Sequence, residues 1–273
     1  MRKQKVKTSL RFQTTRKEQK NRSRKIFMGF MAIILVLAVA SAALIIKNIN
    51  AKKGVEEDPS NISSTLKDEV NIMYAIADGE GELVAVTRLN IDVKQNSMKV
   101  KAYSPAMRYD GKTLNDIYDG DDADTISEEE LAKSFGKLIN CRIDRYIIAQ
   151  EQDMGKIFLN LGYYSINLEN EIIYNSDEYS LHLVAGEHSL TGDEFFGYIR
   201  YLTRNGTDEE FANLSKVLAD VISQHVTEYN AGRGQTIFEA LADYIDTDIS
   251  VNDYAKYSAT LTEMAKTGNS IKS

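Results

Sequence analysis

The chain has 273 residues, with 33 Lys/Arg against 40 Asp/Glu and a formal net charge of −7. The charge is unevenly placed: residues 1–25 carry eleven basic residues and one acid, Glu18, while beyond position 47 there are 21 basic and 39 acidic residues, a balance of −18. So acidic a main portion repels phosphate backbones, which excludes nucleic acid as its partner, and a single cysteine, Cys141, excludes an internal disulfide and a cysteine-based metal site.

Residues 26–46 follow the basic tail and form a run of 21 without a charge. As a helix the run is about 31 Å long, enough to cross the hydrocarbon core of a bilayer. Basic residues crowd its N-terminal side, so the tail is expected in the cytoplasm and the rest of the chain outside. Ala38-Val39-Ala40 and Ser41-Ala42-Ala43 resemble processing sites of a secretory signal. The apolar sequence runs on through Leu44, Ile45 and Ile46, however, and that length favours an uncleaved anchor. Residues 47–67 are polar, with Gly54, Pro59 and a Ser/Asn cluster, and read as a linker. Residues 68–273 then form the extracellular domain, large enough to be held by its own core.

In that domain 71–77, 83–91 and 98–103 are predicted strands, separated by turn signals at Asp78-Gly79-Glu80-Gly81 and Lys94-Gln95-Asn96. Ser127 with Glu130 forms a capping box ahead of a helix whose buried stripe is Leu131, Phe135 and Leu138. A strand over 145–149, a helix over 152–161 stopped by Gly162 and a strand over 163–168 come next. Thr191/Glu194, Thr207/Glu210, Thr236/Glu239 and Ser250/Asp253 are four further box pairs, each opening a helix. Strands first and helices last predict an α/β (α+β) fold, a central mixed β-sheet flanked by helices. No internal repeat stands out.

The segment Gly186-Glu187-His188-Ser189-Leu190-Thr191-Gly192 followed by Tyr198-Ile199-Arg200 resembles the LytR-CpsA-Psr family. Arg145 to Ile148, Leu161 to Ile166 and Tyr244 to Ser250 fit the same ordered pattern, as does the plan of basic tail, membrane span and outer domain. The resemblance covers about 68–267. It implies a protein of the cytoplasmic membrane, mainly in Gram-positive bacteria, that moves a glycopolymer from a polyprenyl pyrophosphate carrier to peptidoglycan. It also implies arginines on the pyrophosphate and acids on a magnesium ion (Mg2+). Both choices suit the chemistry: guanidinium forks match phosphate oxygens, and carboxylates hold a hard cation that offsets charge on the leaving phosphate.

Position by position, the family's charged set is thinned. Asp78 fits the first acid, as catalytic and metal-binding residue, and Arg200 fits the first arginine of an Arg-x-Arg pair, as the second catalytic residue. Ile76 stands in place of a glycine, Glu82 and Val84 in place of an Arg-x-Asp pair, and Ala106-Met107 where Arg-Asp would follow Pro105. Thr113 replaces a lysine, Leu202 the second arginine of the pair, and Glu210 and Asn213 two further arginines. Arg108, Lys112 and Arg204, each displaced from the pattern, are the candidate substrate-binding substitutes. Blander roles exist for all five: Asp78 can simply form a turn, Arg200 and Arg204 can complement a helix end, and Arg108 and Lys112 can line a solvated loop. The acidic run from Asp119 to Asp124 lacks EF-hand spacing, and His182, His188 and His225 lack zinc spacing. The readings left open are a transferase, a non-catalytic relative that binds polyprenyl lipid, glycopolymer or a wall-assembly partner, and a tethered scaffold.

Overall fold

The structure is a computed structural model that describes residues 67–119, 128–176, 179–231, 233, 236–237, 240, 244–268 and 270–273. The expected tail, the span at 26–46, nearly all of the linker, Ser127 and most of the acidic run lie outside the described residues. Among the described residues no helix is long and apolar enough to cross a membrane.

The elements run β1 (Glu69–Ala77), β2 (Leu83–Asp92), β3 (Ser97–Tyr103), β4 (Arg108–Tyr109), β5 (Lys112–Thr113), α1 (Leu114–Asp119), α2 (Glu128–Leu138) and β6 (Arg145–Gln150). A 3-10 turn (Glu151–Asp153) leads to α3 (Met154–Leu161), β7 (Tyr164–Leu168), β8 (Ile172–Asn175), β9 (Ser180–Leu183) and β10 (Gly186–Leu190). Then come α4 (Gly192–Leu202), α5 (Asp208–His225), α6 (Glu228–Ala231), β11 (Asp246–Thr247), α7 (Val251–Thr267) and β12 (Ile271–Lys272).

The main sheet has the order β11-β6-β1-β2-β3-β12. β1 pairs parallel with β6 and antiparallel with β2, and β12 pairs parallel with β3, so the sheet is mixed as predicted. β1 is buried from Val70 to its end because helices cover both faces. Tyr74 and Ile76 point into the larger core, with Phe158, Phe195, Phe196 and Leu214. Met73, Ala75 and Ala77 point into the smaller one, with Leu114, Leu131 and Phe135. An apolar run without polar alternation is what a strand covered twice requires.

Local signals set the helix starts. Thr191, Thr207 and Ser250 each make the expected reciprocal capping box with Glu194, Glu210 and Asp253. The expected helix over 152–161 begins as the 3-10 turn and becomes α-helical at Met154. It stops at Gly162, whose φ of 103° suits a residue without Cβ. The β4–β5 and β8–β9 hairpins and the edge strand β12 were not foreseen.

Candidate functional site

β1 and β6 are parallel and end side by side, Ala77 opposite Gln150. Crevices beyond the carboxyl ends of parallel strands are the usual ligand positions in such sheets. Asp78 leaves β1 here and shapes the turn that follows. Its backbone N–H donates to the Glu82 carbonyl at 2.8 Å, and its Oδ1 accepts from the Glu80 and Glu82 amides at 3.0 and 2.8 Å. Oδ2 accepts from Arg200 Nη2 at 2.7 Å. The Asp78 side chain is 6% exposed and that of Arg200 23%.

Arg200 reaches this corner because α4 carries Asp193, Phe196, Gly197 and Arg200 along one stripe, at helical spacings of three and four. The guanidinium lies over the Phe196 ring, 5.6 Å from its centroid. Across the corner, Glu151 Oε2 accepts from the Gly79 amide at 3.0 Å and ties the Asp78 turn to the end of β6. Gln150 Nε2 donates to the Tyr118 hydroxyl at 3.3 Å. Asp153 is buried, and its Oδ2 has no hydrogen-bond partner. Burial pushes its carboxyl up to about 7, with Lys156 pulling the other way.

The five residues expected from the sequence therefore divide. Asp78 and Arg200 meet. Arg204 lies over the Tyr201 ring at 4.2 Å and donates to the Tyr201 carbonyl at 2.6 Å, a C-terminal helix position. Its Nη1 lies 3.9 Å from Glu210 Oε1. Arg108 is exposed on the β4–β5 hairpin and donates to the Gly111 carbonyl at 2.9 Å. Lys112 is exposed on the same hairpin. Thr113, together with these two cations, holds the Asp116 carboxyl below its ordinary range. No hydrogen bond or ion pair joins Arg108, Lys112 or Arg204 to the Asp78–Arg200 pair among the described contacts. Glu210 stands where the family has an arginine because it is a cap: its carboxylate accepts from the amides of Asn205 and Thr207 at 3.0 and 3.1 Å.

The histidines are structural. His225 faces the carbonyls of Val221 and Gly162, His182 pairs with Glu171, and His188 meets the Val184 carbonyl. Among the described residues no grouping of three or more His, Cys, Asp or Glu could hold a metal ion. Among the described residues, the Asp78 oxygens meet two amides and an arginine. Sequence reasoning missed Glu151, Asp153 and Phe196. The rule that sites gather beyond parallel strand ends would have directed attention to the first two.

The LytR_cpsA_psr family model matches residues 87–272. No curated protein matches the chain. Solved structures share the fold at low identity. A proposed transcription regulator of Eubacterium siraeum is 16% identical with a TM-score of 0.61, over 80% of this chain and 88% of that one. TagV of Bacillus subtilis is 15% identical with a TM-score of 0.60, over 76% and 84%. A LytR-Csp2A-Psr enzyme of Actinomyces oris is 11% identical with a TM-score of 0.59, over 75% and 79%.

Proposed function

The chain belongs to the LytR-CpsA-Psr family, and from that premise we propose that it is a cell-wall protein on the outer face of the cytoplasmic membrane that binds a lipid-linked glycopolymer without transferring it. One observation carries this reading: both oxygens of Asp78 are engaged, one by two backbone amides and the other by Arg200. The acid that would hold a metal instead holds the arginine that would hold a phosphate.

Pairing affects transfer more than recognition. A guanidinium has five donors in one plane, and a bond to Asp78 fixes that plane. An oriented guanidinium edge still suits a phosphate oxygen. Transfer needs more: each lost transition-state donor typically lowers the rate by ~10²–10³, and several of the family's charges are absent from this sequence. The segment at 26–46 would anchor the chain, with the tail inside and the domain facing polyprenyl pyrophosphate-linked polymer and peptidoglycan.

The test uses the purified full-length chain in detergent with farnesyl pyrophosphate and magnesium, measuring phosphate release and binding. Saturable binding without release, lost in Arg200→Ala, is the expected result. Magnesium-dependent release abolished by Arg200→Ala would overturn the reading and establish transferase chemistry. Neither binding nor release would leave a family fold whose ligand is a protein.

A further inference from the structure

We propose that the corner where α3, the end of α5 and α6 meet is a membrane-contact surface, which seats the domain on the headgroup layer of the bilayer that residues 26–46 would anchor it to. The inference rests on the anchor of the reading above and on an exposed face that the cores of the domain leave unused.

The face begins on α3. Met154, Ile157 and Phe158 point into the larger core. The opposite stripe, Lys156, Leu159, Asn160 and then Tyr163 just past the helix, keeps spacings of three and four and is exposed along its length. Leu159 is 73% exposed and Tyr163 52%. Gly162 ties this end of α3 to the end of α5, its carbonyl 3.2 Å from His225 Nε2. The chain then turns into α6, with Asn230 Nδ2 donating back to the His225 carbonyl at 2.9 Å. Tyr229 stands on that turn and is 69% exposed. One leucine and two tyrosines therefore flank a single joint. Lys156 shares the α3 stripe, and the Arg233 guanidinium lies over the Tyr229 ring, 5.1 Å from its centroid.

This composition suits a bilayer surface. A tyrosine buries its ring and leaves its hydroxyl among headgroups, a leucine inserts whole, and long cationic side chains reach lipid phosphates. The remainder of the domain is acidic and is repelled by anionic lipid, so contact is confined to a corner that combines apolar and cationic side chains. The corner also lies on the side where the chain enters the domain. The Tyr257 hydroxyl of α7 is hydrogen-bonded to the Lys67 backbone. Nine residues on, Lys266 lies in the field of Glu263 and of Glu228, the first residue of α6, which packs against α7. Nine helical steps are about 14 Å. Twenty residues, 47–66, separate Lys67 from the uncharged run, a reach of at most about 70 Å. Tethering within that reach raises the local concentration of the face, so side chains too few to hold a free protein on a membrane suffice for an anchored one.

The full-length chain has no tryptophan, so one introduced indole is a sole reporter. Tyr163→Trp, Tyr229→Trp and Lys112→Trp are each reconstituted into vesicles of phosphatidylcholine and phosphatidylglycerol whose acyl chains carry bromine, a quencher of indole emission. Lys112, on the hairpin beyond the carboxyl end of β3, marks the opposite end of the sheet from Lys67. Emission at 163 and 229 is expected to fall about twofold or more against unbrominated vesicles, as the side chains enter to about 5–10 Å, with little change at 112. Leu159→Asp, at an exposed position outside the core, is expected to restore most of the Tyr163→Trp emission. Unquenched emission at both 163 and 229, in a chain that floats with the vesicles, would overturn the surface and leave the face to a protein partner. Equal quenching at 112 would overturn it too, marking a domain that meets the bilayer with no preferred face. A chain that does not float with vesicles would overturn the anchor and this inference together, whereas the farnesyl pyrophosphate measurement above decides ligand binding independently of all three.

Discussion

Arg200 and Asp78 are 122 residues apart in sequence and meet at 2.7 Å, the helix residue capping the end of the central strand. The pair has a structural job as well as a candidate functional one, because the same carboxylate holds the Glu80 and Glu82 amides. Removing one member of a largely buried ion pair strands the other. Arg200→Ala is expected to lower unfolding stability by about 1–3 kcal/mol, below the fully buried range because the arginine is partly exposed. Asp78→Ala should cost more than Arg200→Ala, since it also releases two backbone amides. Chemical denaturation of the two variants checks the order. A smaller loss for Asp78→Ala would mean that the turn holds itself.

Asp153 makes stability depend on pH. Its folded-state value, about 7, lies above an unfolded aspartate near 3.9. Over that interval the folded chain binds more protons than the unfolded one, so this group's contribution falls as pH rises from about 4 to about 7 and is level above. The loss amounts to about 2–4 kcal/mol, and Asp153→Asn should remove it. The difference in unfolding free energy between variant and parent, taken at pH 4.5 and pH 7.5, isolates this residue from carboxylates that titrate the other way, such as Asp253. Equal differences at the two pH values would show that Asp153 is solvated.

Glu210 offers a test of why the family's charge is missing here. Reintroducing the cation with Glu210→Arg removes the acid that accepts from the Asn205 and Thr207 amides at the start of α5. It also places a positive charge at the positive end of the helix. The expected outcome is a loss of about 1–2 kcal/mol in thermal or chemical unfolding, near that of Thr207→Ala. Unchanged stability would mean that the cap contributes nothing.

Much of this fold was legible in the sequence because its signals are local. Alternation and turn residues mark β2 and β3, and Thr191, Thr207 and Ser250 announce their helices three residues ahead of the acids that answer them. The β8–β9 hairpin was not legible: Ile172 and Leu183 are buried by the core, while Glu171, Asn175 and Ser180 give its surroundings the polarity of a loop. The site divides in the same way. Asp78 and Arg200 were found by matching a remote pattern, and they do meet. Arg204 sits one helical turn further along, and only the contacts with Tyr201 show that it serves the helix end. Asp153 has no local signature at all, since its burial comes from long-range packing.

Arg145 and Asp253 form a second charged corner, at the opposite end of β6 from Gln150. Arg145 Nε and Nη2 reach the two Asp253 oxygens at 3.1 and 2.7 Å, joining the start of β6 to the first turn of α7. This fork helps hold the Asp253 carboxyl below its ordinary range against the effect of burial, and in return Asp253 raises Arg145. The pair is partly exposed, so Arg145→Ala is expected to lower stability by about 1–2 kcal/mol. The five residue steps from Arg145 to Gln150 span roughly 16 Å of strand. That distance exceeds the range over which substitutions ordinarily couple. Arg145→Ala and Arg200→Ala should therefore add to within about 0.5 kcal/mol in a double-mutant cycle. A larger coupling would mean that β6 transmits strain between its ends, and the two corners would have to be treated as one unit.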